Sequence, residues 1–121
     1  MYVFKGILIA FIDYDYIVIK KWGSIMTIMV LVDFDIKEGK LDEFLKILEE
    51  ILPDTRSYNG CLFLKTCVYE SQNKICLVEE WETKKHQEEY FAWRVSTGLT
   101  ETIEPYVNNE VTTYMDVKQS F

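Results

Sequence analysis

Residues 78–98 read VEEWETKKHQEEYFAWRVSTG, and this stretch decides the fold. An apolar, alternating run reaches Trp81, turns within a few polar residues, and re-emerges as a segment carrying Tyr90, Phe91, Trp93 and Arg94. The period changes from two to a helical one across Thr83, which is placed as an N-cap for a helix starting at Lys84. A strand that feeds directly into an aromatic-rich helix makes a corner with rings on both arms. Any pocket in the chain is expected there.

Working towards the N-terminus, Lys74 to Glu82 is a strand with Ile75, Leu77, Glu79 and Trp81 on one face. Ser71-Gln72-Asn73 separates it from a second run, Cys61 to Glu70, so the pair reads as an antiparallel hairpin. Before that, Leu41, Phe44, Leu45, Leu48, Ile51 and Leu52 recur at helical spacing, with Asp42 and Glu43 set at the positive end of the helix dipole. Pro53 has no backbone N–H, so the helix is expected to kink or restart there, with PDTRSY as a last turn closed by Asn59-Gly60. Thr27 to Ile36 alternates as well, Ile28, Val30, Val32, Phe34 and Ile36 forming one face.

Towards the C-terminus, Gly98 interrupts the second helix, Leu99 to Tyr106 gives a short helical piece stopped near Pro105, and Glu110 to Val117 alternates again. The order β-α-β-β-α-β is the ferredoxin-like arrangement, an α+β fold with a four-stranded antiparallel sheet. Both helices of that arrangement lie on one side. The other sheet face, with either Met29 and Leu31 or their opposite set on it, is left apolar and uncovered, and a homodimer packed sheet against sheet is the expected cover.

With 121 residues the chain supports one such domain, and residues 26–121 hold its whole pattern. Residues 1–25 follow no clear period. They are expected to be an N-terminal extension from an upstream start codon, with Met26 as the natural start. The run from Gly6 to Ile12 is broken by Asp13 and Asp15, which fits neither a cleavable leader nor a span of about 20 apolar residues. A net charge of −7 argues against a nucleic-acid partner, since phosphate binding needs a surplus of Lys and Arg. The odd count of three cysteines, Cys61, Cys67 and Cys76, has neither disulfide nor zinc spacing, so reduced thiols in a cytoplasmic, non-membrane protein are expected.

Four pieces together carry a family likeness: FDIKEGKLDEFL after the first strand, PDTRSYNGC at the end of the first helix, LVEEWET closing the third strand, and EEYFAWRVSTG in the second helix. From Met26 to about Val117 the chain resembles the antibiotic biosynthesis monooxygenase family of dimeric α+β barrels. The resemblance implies an oxygenase without a cofactor that oxidises a small phenol, quinol or polyketide-like aromatic, using electrons from the substrate to activate dioxygen. Trp81 matches the tryptophan that closes the third strand in polyketide-oxidising members. Their asparagine four residues earlier and tyrosine six residues later are replaced here by Leu77 and Gln87. Haem-degrading members place a histidine ten residues beyond a helix tryptophan; Trp93 fits the tryptophan, but Ile103 stands at the histidine position.

The candidate site residues follow. Trp81 either covers the sheet edge or stacks on a planar substrate. Tyr90 and Trp93, three apart, share a helix face suited to aromatic binding or to packing on the sheet. Arg94 is a candidate to hold a substrate oxyanion, or alternatively to pair with Glu101 or Glu104. His86, the one histidine of the chain, is a candidate base, although its setting in KKHQEE also reads as a solvated helix face. Arg56 and Tyr58 are candidates for substrate binding in the PDTRSY turn, where a capping or dimer role fits equally. No metal-ligating set is present in the pattern. The competing reading is a non-catalytic dimeric domain that binds a small molecule or partner, which a closed, side-chain-filled interior would favour.

Overall fold

The computed structural model of the chain describes residues 3–5, 7–8 and 26–119. Val3–Lys5 (β1) and Ile7–Leu8 (β2) pair antiparallel. The expectation of an extension over residues 1–25 otherwise lies outside the described residues. Ile28–Val117 form a separate compact unit, which carries the site.

That unit runs β3 (Ile28–Ile36), α1 (Leu41–Arg56), β4 (Cys61–Val68), β5 (Lys74–Trp81), α2 (Lys84–Ser96), α3 (Leu99–Ile103) and β6 (Val107–Asp116). The strands form one antiparallel sheet in the order β4-β5-β3-β6, the ferredoxin-like topology expected from the sequence. Ile28 lies opposite both Trp81 and Asp116, so the two central strands β3 and β5 bring the ends of α2 and β6 to one end of the sheet.

The stripe Phe44, Leu48 and Leu52 clusters with Phe34 and Ile36 of β3, Leu64 of β4 and Ile75 and Leu77 of β5, and Thr55 continues it on the buried side of α1. Phe44 is fully buried and meets Phe34 edge-on at 5.2 Å. A buried ring of this size stabilises by roughly 1.5–3 kcal/mol through the area it removes from water. One expectation is corrected here. α1 continues without a restart through Pro53 and ends at Ser57, whose N–H donates to the Pro53 carbonyl at 3.1 Å. Leu52 and Thr55 are buried on either side of the proline, and that packing offsets the missing backbone donor. Gly60, at φ +95°, serves the entry to β4 instead of capping the helix.

α2 begins as the sequence indicates, with Thr83 Oγ1 accepting from the His86 N–H at 3.1 Å. Its buried residues are Gln87, Tyr90 and Arg94, one per turn and all able to hydrogen-bond, while Phe91 and Val95 are exposed. A left-handed Gly98 then separates α2 from α3. Among the described residues no helix is long and apolar enough to cross a membrane.

The second sheet face carries Met29 and Leu31 half-buried, with Phe63, Val111 and Met115 exposed. The cysteines are free thiols; Cys67 and Cys76 lie opposite each other on β4 and β5. On this face Tyr69 also donates to an Asp33 carboxylate oxygen at 2.6 Å.

Candidate functional site

A cavity of about 330 Å³ lies between the helices and the β3–β6 half of the sheet. Its apolar wall includes Phe34, Leu48, Leu52, Leu77, Leu99 and Ile103. The room follows from register. The helix-facing residues of β6 are Glu110, Thr112 and Tyr114, opposite Phe34, Val32 and Val30, and these polar side chains leave that edge without apolar filling.

Glu79 projects into this cavity from β5. It sits opposite Leu64 and Val30 in the centre of the sheet and is only 3% exposed. One carboxylate oxygen accepts from Trp81 Nε1 at 2.7 Å. Burial disfavours the charged form and pushes its pKa up to about 7, and the indole donor pulls the other way without cancelling the effect. A carboxylate titrating near neutrality in an apolar chamber is suited to take a proton from a bound molecule.

Tyr90 forms part of the same wall and links it to a second network. Its hydroxyl lies 2.6 Å from Thr55 Oγ1 and accepts from Arg94 Nε at 2.8 Å. Arg94 also donates to Thr55 Oγ1 at 2.9 Å and to the Ile51 carbonyl. Burial raises the Tyr90 pKa, while the hydrogen bonds from Thr55 and Arg94 oppose that shift. At the far end, Tyr114 donates to the amide oxygen of the buried Gln87 at 3.0 Å.

The structure sorts the residues nominated from sequence. Tyr90 lines the cavity. Trp81 is fully buried, with its ring 5.2 Å from Tyr90; it braces the wall and holds Glu79. Arg94 lies in the α1–α2 seam, bonded to Thr55, Tyr90 and Ile51 instead of Glu101 or Glu104. Tyr58 and Trp93 meet as tilted rings with centroids 5.4 Å apart and border a shallow groove with Asp54 and Glu89. His86 belongs to the helix cap, its Nδ1 2.7 Å from Thr83 Oγ1 and its Nε2 3.7 Å from Glu82. Arg56 is exposed at the end of α1. Neither residue is among those lining the cavity.

Sequence reasoning passed over Glu79, Thr55 and Gln87. The signal for Glu79 was present, because a carboxylate sat in register with Ile75, Leu77 and Trp81 on an inward strand face. Thr55 continues the buried stripe of α1, three residues after Leu52.

A family model described as antibiotic biosynthesis monooxygenase matches residues 27–104, from just before β3 to the end of α3. The chain belongs to the antibiotic biosynthesis monooxygenase family. Solved structures agree in fold. A protein of Shewanella oneidensis superposes with a TM-score of 0.69 at 20% identity, covering 78% of this chain and 93% of that one. A protein of Mycobacterium tuberculosis gives 0.69 at 12% identity, over 78% and 97% of the two chains. A structure known as an antibiotic biosynthesis monooxygenase gives 0.63 at 20% identity, over 77% and 98%. Among curated proteins no relative matches. In this member of the antibiotic biosynthesis monooxygenase family, the buried Gln87 accepts from Tyr114, and Ile103 adds to the apolar wall.

Proposed function

We propose that the chain is a small monooxygenase that oxidises an electron-rich phenol or quinol with dioxygen and without an organic cofactor. The observation that carries this reading is Glu79, a nearly fully buried carboxylate facing an apolar cavity, with a pKa of about 7. In the reaction, Glu79 takes the phenolic proton, and the resulting phenolate is electron-rich enough to reduce dioxygen. Recombination at a ring C–H and loss of water then give a quinone. One oxygen atom enters the ring, the other leaves as water, and all four electrons come from the substrate. Tyr90 and the apolar wall hold the ring. Membership of the family supports the reaction class, and the presence of a cavity favours it over the non-catalytic reading, for which a filled interior was the expected sign.

The same proposal includes a second copy of the chain on the open sheet face. Its support is the apolar set Met29, Leu31, Phe63, Val111 and Met115, which a two-fold pair would bury against itself.

The test is oxygen uptake with a panel of hydroquinones and phenols, followed in the wild type and in Glu79→Gln. Uptake above background in the wild type, reduced on the order of 10²–10⁴-fold in the variant, is expected of a lost general base. Absence of uptake across the panel, or equal rates in both proteins, would sink the proposal.

A further inference from the structure

The cavity has a charge pattern that goes beyond the reaction class. Its charged lining residues are Glu79 within, and Glu104 and Glu110, both exposed, from the end of α3 and from β6. Among the described residues, no Lys, Arg or His lines it. The guanidinium of Arg94, which touches the cavity's Tyr90, is committed to Thr55, Tyr90 and the Ile51 carbonyl. Lys84 Nζ lies 4.8 Å from the centroid of the Tyr114 ring.

We infer that the cavity selects its ligand by charge, accepting an aromatic alcohol that is uncharged throughout and rejecting congeners that carry a carboxylate or phosphate. The inference rests on the oxygenase reading for the identity of the site, but it concerns binding and is measured as binding. An anion entering the chamber would lose its hydration in an apolar space and find no cation to replace it. It would also approach carboxylates at the mouth and inside, and like charges brought together are strongly disfavoured. A neutral phenol meets neither obstacle. Its hydroxyl donates to Glu79, whose second carboxylate oxygen is not the one taken by Trp81. Around the rest of its edge it finds apolar side chains and the hydroxyls of Thr100 and Thr112. Glu110 is held in position by a hydrogen bond from Thr112 Oγ1, which keeps its charge on the strand that forms the rim.

This pattern also explains how a site without a cation can serve an oxidation that begins by making a phenolate. The proton is removed inside, after a neutral molecule has entered.

The test uses two probes of the same ring and nearly the same size: methyl 2,5-dihydroxybenzoate and the free acid, 2,5-dihydroxybenzoate. Their dissociation constants are measured by tryptophan fluorescence and calorimetry at pH 7.5 on the full chain. The ester is expected to bind on the order of tenfold or more tightly than the acid. In the double variant Glu104→Gln/Glu110→Gln the gap is expected to narrow because the acid gains affinity. Both positions are exposed, so the fold tolerates the change. Equal affinity for acid and ester, a gap unmoved by the double variant, or failure of both probes to bind would each overturn the inference. Oxygen uptake is recorded alongside. Discrimination without uptake supports charge selection while counting against the oxygenase reading, so the two fail separately.

Discussion

Arg94 Nε donates to the phenolic oxygen of Tyr90 across 2.8 Å, one turn apart on α2, and the same guanidinium reaches back to Thr55 and the Ile51 carbonyl on α1. A residue nominated for substrate binding is therefore the cross-link between the two helices. Arg94→Met keeps much of the side-chain length but removes three charge-assisted donations and leaves buried acceptors unmatched. It is expected to lower stability by about 2–4 kcal/mol in urea unfolding. A variant as stable as the wild type, with only its affinity for a ligand changed, would restore the substrate role.

Glu79 makes stability depend on pH with a definite sign. Its folded pKa of about 7 lies above the ordinary 4.5, so between those values the folded chain keeps a proton that the unfolded chain has released. Stability contributed by the neutral form is complete at low pH, falls as pH rises through this window, and has gone above about pH 7. Glu79→Gln keeps an amide oxygen for Trp81 and does not titrate. It is expected to match the wild type near pH 4 and to exceed it at pH 8 by on the order of 3 kcal/mol, measured by thermal or urea unfolding at both values. For the proposed oxidation, the wild-type rate should rise with pH as Glu79 ionises, with an apparent pKa near that of the carboxyl.

The His86 ring is packed over Gly60. A Cβ at Gly60 would stand inside the van der Waals envelope of the imidazole, and the backbone there has φ +95°. Gly60→Ala is expected to cost about 1–3 kcal/mol from backbone strain, with the ring clash added. His86→Ala on the same background should recover the clash portion and leave the strain, which a double-mutant cycle would separate.

The open sheet face gives a fourth expectation. Leu31 lies at its centre, opposite Val78 and Thr113. Leu31→Glu should shift the mass measured by light scattering at micromolar concentration from that of a pair to that of one chain, without altering the far-UV spectrum. A wild type that already runs as a single chain would rule out the paired arrangement.

Much of the fold was legible in residues whose environment is set locally. The alternation of Ile28 to Ile36, the helical stripe through Phe44 and Leu48, and Thr83 before Lys84 each obey rules that need only neighbours in sequence. The site was less so. Trp81, Tyr90 and Arg94 were identified as a group, but whether a ring or guanidinium faces a cavity or a neighbouring helix depends on contacts 35 to 43 residues away. Local pattern does not encode these contacts. Of the kink or restart expected at Pro53, the restart does not occur, because the burial of Leu52 and Thr55 by distant elements carries the helix through. Glu79 was visible as an anomaly in its strand, yet the meaning of a charge on an inward face appears only when the cavity beside it is known.

The inward stripe of β6, Glu110, Thr112 and Tyr114, has a kinetic consequence. With Phe91 about half exposed and Glu104 and Glu110 both exposed at the rim, the described wall of the chamber opens to solvent along the β6 edge. Among the described residues a ligand entering there meets only side chains, so its residence is set by the strength of its own contacts. For the proposed oxidation, that places the slow step in the chemistry or in ligand departure, which single-turnover and steady-state rates would tell apart.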